Sequence, residues 1–459
     1  MLDASAIKSP LEPGRTSQRP DGLLSANFAK LNLEQILASG FHSMKNPDLR
    51  EELVSRFFRY TSIASQSDSR VPSLPSSAGQ ATLASVLASE LTALGLDDVT
   101  VDENAIVTAI RRGSCSRTPR IGFIAHLDTV DIGLSPTIRP QIFRFDGEDI
   151  LLNAEKDIWL RVADHPEIQR WQGDDVIVSD GTSVLGADNK AAISVIMTLL
   201  ARLNERDHRG DIIIAFVPDE EIGLRGAKAL DLSRFPCDFA YTIDACALGE
   251  VVIENFNAAL CEVTFTGVSA HPMSAKGTLV NPLFMAMDFI AQFDRSQSPE
   301  NTDGRDGFFW FKDMTANDSE ARLYVLIRDF DRSVFMGRKQ RLEDAASVIR
   351  QAYPTGRVSL EITDTYANIG DHLGGDHEAA TLLFDAMDAL KIERKLIPMR
   401  GGTDGAALSI KGIPTPNFFT GAHNFHSRFE FLPVTAFEQS YLVAAKICEL
   451  AAGRRSTCE

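Results

Sequence analysis

The chain has 459 residues, 44% hydrophobic and 24% charged, which suits a globular protein of two or three domains rather than a disordered or fibrous one. Its net charge of -17 argues against a nucleic-acid binder, which needs a basic face to meet phosphate. No run approaches the ~20 apolar residues of a membrane span, and the N-terminus lacks the basic-then-apolar layout of a secretory signal. The six cysteines are scattered without a Cys-x-x-Cys pair, so neither a disulfide framework nor a thiolate zinc site is expected, and a reducing cytoplasm is the expected location.

In chain order, residues 1–44 read as an N-terminal extension. Its first part, Met1 to about Ala26, is rich in Ser, Pro, Gly and Arg without periodicity and has the character of a flexible tail. Asp3, Glu12 and Asp21 count against a transit peptide there. Leu49, Leu53, Phe57 and Phe58 recur at helical spacing and predict a helix over about Asp48–Ser62, with a second over Gly79–Leu94. Ile121–Ala125 is strand-like, Lys190–Leu203 reads as a buried helix, and Asp211–Val217 and Phe239–Ile243 are short apolar runs. This alternation predicts an α/β sheet with helices on both faces, whose ligands gather at the carboxyl ends of the strands.

The pattern changes near Cys261. Cys261–Thr266 alternates like a strand, Asn281–Phe293 is a helix candidate, and Phe308–Phe311 and Arg322–Ile327 suit a strand pair. Arg332–Ala352 has helical periodicity and Val358–Ile362 is a last strand. The order β-α-β-β-α-β is that of a split, ferredoxin-like sandwich, so a domain over 261–366 is expected to be inserted in a larger one built from 45–260 and 367–459. The α/β pattern resumes with a helix around Ala379–Leu390 and strands near Leu396 and Asn417–Thr420.

Polar chemistry clusters where the strands run out. Glu220 and Glu221 stand side by side after Ile212–Val217, His126-Leu127-Asp128 follows Ile121–Ala125, and Asp244 follows Phe239–Ile243. Adjacent buried carboxylates oppose each other's ionisation and need a cation or a reaction to justify them. His126 and Asp128, two apart, project from the same side of an extended backbone, so one can bind a metal while the other orients it. Asp188, in Leu185-Gly186-Ala187-Asp188-Asn189-Lys190, reads either as a helix N-cap or as a carboxylate bridging two cations. Of the Glu pair, one member would bind metal and the other take a proton from an activated water, with a second metal ~3.5–4 Å away stabilising the oxyanion.

The other histidines are less informative. His42, His165 and His208 have polar surroundings and no evident partners, while His372 and His377 can cap the helix that follows. His423 and His426 compete for one ligand role that spacing alone does not assign. His271, in the inserted region, can hydrogen-bond a substrate carbonyl if that domain closes over the site. Arg328 and Arg400 are candidates for a substrate carboxylate, with a structural salt bridge as the alternative for each.

The motifs Phe123-Ile124-Ala125-His126-Leu127-Asp128-Thr129, Leu185-Gly186-Ala187-Asp188, Pro218-Asp219-Glu220-Glu221-Ile222-Gly223, Glu254-Asn255-Phe256-Asn257, Ile327-Arg328-Asp329-Phe330-Asp331 and Arg400-Gly401-Gly402-Thr403-Asp404-Gly405-Ala406 carry a family resemblance. From about Glu52 to Ala452 the chain resembles peptidase T, the tripeptide aminopeptidases of the dinuclear zinc aminoacylase/carboxypeptidase clan. The resemblance implies a mixed-sheet catalytic domain with an inserted ferredoxin-like lid, and hydrolysis of the N-terminal residue from tripeptides through a water activated by two zinc ions, with Co2+ or Mn2+ as other metals. It implies His126, Glu221, Asp244 and His426 as terminal ligands, Asp188 as the bridging carboxylate, Glu220 as general base and Asp128 as the residue orienting His126. His426 is preferred over His423 because Asn424-Phe425-His426 matches the family's Asn-aromatic-His segment. The partner expected is a small peptide, with no nucleic acid or membrane, and a homodimer is compatible with the sequence. N-acyl-amino-acid deacylation or dipeptide cleavage in the same clan is the alternative activity, and an inactive peptide-binding protein the remote one. Two departures stand near the metals: Ala245-Cys246-Ala247 replaces a glycine-rich segment, and Asn189 replaces a second Asp.

Overall fold

Successive residues of the central strands serve two different cores. Phe123, Ile214, Phe216 and Tyr241 belong to one buried cluster, and Ile124, Ile213, Ala215 and Ala240 to another. That division is the period-2 projection of strands covered on both faces, and it explains why the runs are apolar throughout instead of alternating with polar residues. The structure is a computed structural model and describes residues 48–116, 118–203, 210–373 and 377–453. The expected flexible extension, His42 and His208 lie outside the described residues.

The central sheet has eight strands in the spatial order Asp97–Val101, Val107–Arg111, Ile212–Val217, Ile121–His126, Phe239–Ala245, Asn417–Phe419, Glu250–Val252, Lys395–Leu396. Ile121–His126 pairs in parallel with both Ile212–Val217 and Phe239–Ala245, whereas Val107–Arg111 runs antiparallel to its neighbour, so the sheet is mixed. The helix Ala187–Arg202 packs on one face against the helices Leu49–Thr61 and Val434–Gly453, and the helix Asp404–Ile410 lies on the other. Gly122 has no Cβ because one would meet the Phe235 ring at 2.6 Å and Ala240 Cβ at 2.8 Å.

The chain from Asn257 to Tyr366 forms a second, four-stranded antiparallel sheet in the order Phe308–Ala316, Glu320–Asp329, Asn257–Thr266, Arg357–Tyr366. The helices Pro282–Ile290 and Arg332–Ala352 cover one face, burying Met285, Phe289, Leu342 and Ile349 against Cys261, Val263 and Phe265. This is the β-α-β-β-α-β sandwich expected from the sequence. Its first strand begins at Asn257 because Asn257–Leu260 continue the pairing with Leu326–Asp329. Two small sheets were not expected: Phe431–Pro433, Asp175–Ser179 and Pro140–Arg144 form one, and Ile150–Asn153 with Ile158–Leu160 the other. Among the described residues no helix is long and apolar enough to cross a membrane. Cys237, Cys246 and Cys261 are free thiols, while Cys115 is disulfide-bonded.

The parallel strands direct their carboxyl ends to one edge of the sheet, and the turn after Ile212–Val217 is fastened there by Asp219. This residue is fully buried at φ +56°. Its carboxylate accepts hydrogen bonds from Ser76 N (2.9 Å), Ser76 Oγ (2.5 Å) and Gln80 Nε2 (2.7 Å), and pairs with Arg225 at 3.2 Å. Its own N–H donates to Gln80 Oε1. Removing that carboxylate leaves several buried donors unpaired, so Asp219→Ala is expected to lower unfolding stability by about 2–4 kcal/mol in urea titration. A change below about 0.5 kcal/mol, the range of ordinary surface substitutions, would show that the clamp does not hold the turn.

Candidate metal centre

Seven of the polar residues singled out in the sequence converge at this edge. His126 ends its strand, and its register partner across the parallel pair is Val217, which brings the Glu220-Glu221 turn alongside. Asp128 is fully buried and works in two directions. Its side-chain Oδ1 lies 3.3 Å from His126 Nδ1, and its carboxylate accepts the backbone N–H groups of Glu220 (3.0 Å) and Glu221 (3.2 Å). One carboxylate therefore lies beside the imidazole, whose Nδ1 is also 3.1 Å from the Asp128 backbone carbonyl, and holds the Glu-Glu turn.

Asp188 is not the N-cap. The cap position of Ala187–Arg202 is Gly186, at φ +75°, and Asp188 has non-helical angles (φ -80°, ψ 98°) that turn its side chain out of the helix's hydrogen-bonding scheme. Asp188 Oδ1 lies 2.9 Å from His126 Nε2, while Asp188 Oδ2 lies 3.1 Å from His426 Nε2. Asp244 Oδ1 stands 3.9 Å from His126 Nε2 on the first side, and Glu221 Oε1 stands 3.0 Å from His426 Nε2 on the second. Asp188 is thus shared between two separate nitrogen–carboxylate groups through its two different oxygens.

Those groups fit metal ions. His126, Asp188 and Asp244 form one set, and Asp188, Glu221 and His426 another, each with candidate ligand atoms within 4.8 Å of one another. Tetrahedral bonds of ~2.1 Å place ligand atoms ~3.4 Å apart, so little movement is needed to seat a zinc-like ion in either set. A third set, His126, Glu220 and Glu221, satisfies the same distance, so Glu220 stands against the first group as well. The donor types, imidazole nitrogen and carboxylate oxygen, are those of zinc and its first-row neighbours.

Electrostatics make the same point. Burial, reinforced by repulsion among the carboxylates, pushes Glu220 and Asp244 well above the usual carboxyl range and Glu221 to about 7. Asp188 stays below that range although burial opposes it, because His126 and His426 donate to it. Burial opposes protonation of both imidazoles too, yet hydrogen bonds to Asp128 and Asp188 raise His126 well above its ordinary value. Those to Asp188 and Glu221 take His426 to about 11. Without a cation, protons must stand in for the missing positive charge.

The surrounding chain explains several choices that the sequence left open. His423 is buried, accepts a hydrogen bond from Trp171 Nε1 at 3.2 Å and stacks on Phe431, and burial lowers it to about 4. It props the loop whose tip carries His426. His165 is not partnerless as expected: it packs on Phe429 and lies 3.3 Å from Asn424 Nδ2. His377 caps Glu378–Ala389 by accepting Ala379 N–H. Asn189 donates to Asp244 Oδ1 (3.0 Å) and to the Ile243 carbonyl (2.8 Å), a contact that an ionised Asp at this position would turn into repulsion.

The remaining three candidates stand apart from the cluster. His271 is exposed on the 257–366 sandwich and accepts Met273 N–H. Arg328 donates to the Ile327 and Ala259 carbonyls and lies over the Tyr366 ring at 5.2 Å. Arg400 donates to the carbonyls of Gly304 and Asp306 and to Thr302 Oγ1, and it stacks on Phe256 and Phe308. Its guanidinium thus ties the glycine-bearing loop to the base of the sandwich. Sequence reasoning missed three residues. Asp404 is buried, accepts no hydrogen bond among the described residues, and is raised by burial to about 7. Tyr366 sits against Gly402, where a Cβ would meet its ring at 2.6 Å. Glu430 is a buried carboxylate whose only sequence signal is its place between Phe429 and Phe431.

This site on this fold is that of a metallopeptidase, and comparison with known proteins agrees. Residues 185–450 match the model of peptidase family M20/M25/M40. The chain is 67% identical over 404 residues to a peptidase T-like protein of Rhizobium meliloti, covering 88% of this chain and 99% of that one. It is 41% identical over 406 residues to peptidase T of Geobacillus thermodenitrificans, covering 88% and 98%. The crystal structure of aminopeptidase PepT from Bacillus cereus superposes with a TM-score of 0.69 over 88% of this chain and 99% of that chain, at 22% identity, a likeness of fold. The chain belongs to peptidase family M20/M25/M40 and, within it, to the peptidase T group.

The charge pattern has a consequence for the metal-free protein. Glu221 and Asp404, both raised to about 7, favour the folded state while protonated, and that contribution is lost as pH rises from the unfolded carboxyl value towards 7. His426, raised to about 11, contributes stability that is complete below its unfolded value and is lost as pH rises above it. Both act in the same direction above about pH 4.5. Burial lowers His423 to about 4 and Lys190 to about 7, and these two oppose them over part of the range, while Asp188 opposes them only below that point. The chelator-treated protein is therefore expected to melt several degrees lower at pH 8 than at pH 5.5, and zinc is expected to remove most of the difference. A melting temperature that rises over this range without metal would contradict the charge assignment.

Proposed function

We propose that this protein is a cytoplasmic aminopeptidase that removes the N-terminal residue from tripeptides, with two divalent ions held at the converging strand ends. The observation that carries the reading is the division of Asp188 between His126 with Asp244 on one side and His426 with Glu221 on the other. His126, Asp244, Glu221 and His426 would be the terminal ligands and Asp188 the bridge. Zinc is the metal we expect, with Co2+ or Mn2+ able to replace it. Such a pair of ions polarises a scissile carbonyl and makes water a nucleophile at neutral pH.

The chain's own groups divide the remaining work. Glu220 takes a proton from the attacking water and later delivers it to the leaving amine, a shuttle that suits a carboxyl whose affinity for protons is raised by burial. Asp128 fixes the imidazole of His126 and, through the N–H groups of Glu220 and Glu221, keeps base and ligand in separate directions. The 257–366 sandwich acts as the lid. From it, His271 would reach the substrate carbonyl, and Arg328 would hold the peptide carboxylate beside Tyr366. Arg400 is a weaker candidate for substrate, because its donors already serve Gly304, Asp306 and Thr302. The free thiols of Cys237, Cys246 and Cys261 support a reducing compartment, with the Cys115 disulfide as the exception. A homodimer is compatible with this reading and is not required by it.

The test is a panel of di-, tri- and tetrapeptides, with free and acylated N-termini, offered to the zinc-loaded protein. Free tripeptides are expected to be cleaved after the first residue and blocked ones left intact. No cleavage of any free tripeptide would overturn the proposal, and preference for a blocked amine would redirect it to deacylation. Glu220→Gln is expected to retain both metals while losing about 10²–10⁴ in kcat. Wild-type turnover in that variant would remove Glu220 from the reaction.

A further inference from the structure

Glu430 takes no part in the chemistry above, yet its carboxylate is placed with unusual economy. It is 1% exposed. Oε2 accepts the backbone N–H groups of Leu185 and Gly186, each at 2.8 Å, and Oε1 accepts that of Asp188 at 3.2 Å. The left-handed conformation of Gly186 (φ +75°) helps turn these N–H groups towards one point, forming a small anion cradle at the start of the Ala187–Arg202 helix. A side chain at Gly186 would be strained by that φ and would meet Ile138 Cδ1 at 2.9 Å. The cradle therefore depends on a glycine next to the proposed bridging carboxylate.

The other end of Glu430 is equally constrained. Its N–H donates to the Ser427 carbonyl, and the residue after it exchanges both backbone hydrogen bonds with His423. Residues 423–431 are consequently a closed loop with His426 at its tip, in the left-handed region at φ +59°. Phe431 itself is paired to Val178 in the neighbouring sheet. Glu430 thus joins the base of the His426 loop directly to the backbone of Asp188, a link separate from the one that the His426 and Asp188 side chains make with each other.

We propose that Glu430 is a positioning residue that sets the distance between Asp188 and His426, and so the geometry of the metal position they share with Glu221. The inference rests on the metal-centre reading above. A carboxylate that only caps the helix would stabilise the fold and leave metal binding alone. One that positions ligands changes the site itself, and supporting partners of this kind typically alter metal affinity by about 10–100-fold.

The experiment compares full-length wild type, Glu430→Ala and Glu430→Gln as metal-free proteins. Zinc affinity and stoichiometry are measured by chelator competition, the Co2+ absorption spectrum is recorded, and folding is checked by circular dichroism. The alanine variant is expected to bind one ion normally and the other about 10–100-fold more weakly, with an altered Co2+ spectrum. The glutamine variant keeps one acceptor oxygen and is expected to fall between alanine and wild type. Wild-type affinity and spectrum in both variants, whatever their melting temperatures, would overturn the positioning role. If the alanine variant does not fold, the glutamine variant decides: unchanged affinity overturns the role and weakened affinity supports it. A wild-type protein that binds no metal would instead overturn the metal-centre reading from which the inference starts.

Discussion

Asp188 is asked to satisfy two imidazoles at once, one through each carboxylate oxygen, in a place that water does not reach freely. Most of the local structure follows from that demand. A carboxylate with both oxygens committed cannot also cap its helix, and the angles at Asp188 and Asn189 depart from the helix although both lie in its first turn. The strands that supply the partners must end together, which the parallel pairing of Ile121–His126 with its two neighbours achieves. Position at the carboxyl edge of a doubly covered sheet is where such a fold can collect side chains without opening its core.

Concentrating acidic groups in a buried space is expensive, and the surrounding residues show how the expense is managed. Asp128 accepts from the turn that bears Glu220 and Glu221, Asn189 donates to Asp244, and Asn417 donates nothing there but accepts the Asp244 N–H at 2.7 Å. Asp219 anchors the same turn from behind. Each supporting group is itself buried and hydrogen-bonded, so the ligands are held by a frame that does not itself need a metal. The carboxyl groups left without enough donors, Glu220, Glu221, Asp244 and Asp404, are pushed towards their neutral forms, and burial beside Asp188 pushes Glu430 the same way, to about 8, despite its three backbone donors.

The parts legible in the sequence were those written in local pattern. Apolar runs that stop at His126, Glu220 and Asp244 announce strands with polar ends, and the alternation of Cys261, Val263 and Phe265 announces a half-buried strand of the sandwich. What was not legible depends on partners far along the chain. His423 is separated from His426 in role by Trp171, 252 residues away, and Arg400 is claimed by carbonyls 94 and 96 residues before it. Glu430 meets backbone N–H groups, which leave no mark on sequence at all. The sheet containing Pro140–Arg144 escaped because none of that strand's residues is buried and the strand at the sheet's other edge, Phe431–Pro433, is only three residues long. The separate tasks of Glu220 and Glu221 came from family resemblance, since two adjacent acids look alike to any pattern.

The central claim is that Asp188 lies between two cations. Anomalous diffraction from crystals of the zinc-loaded protein tests it most directly. The account predicts two peaks roughly 3.5–4 Å apart, one against His126 and Asp244 and one against His426 and Glu221, with an oxygen of Asp188 at each. A single peak, or two peaks that do not share Asp188, would contradict it.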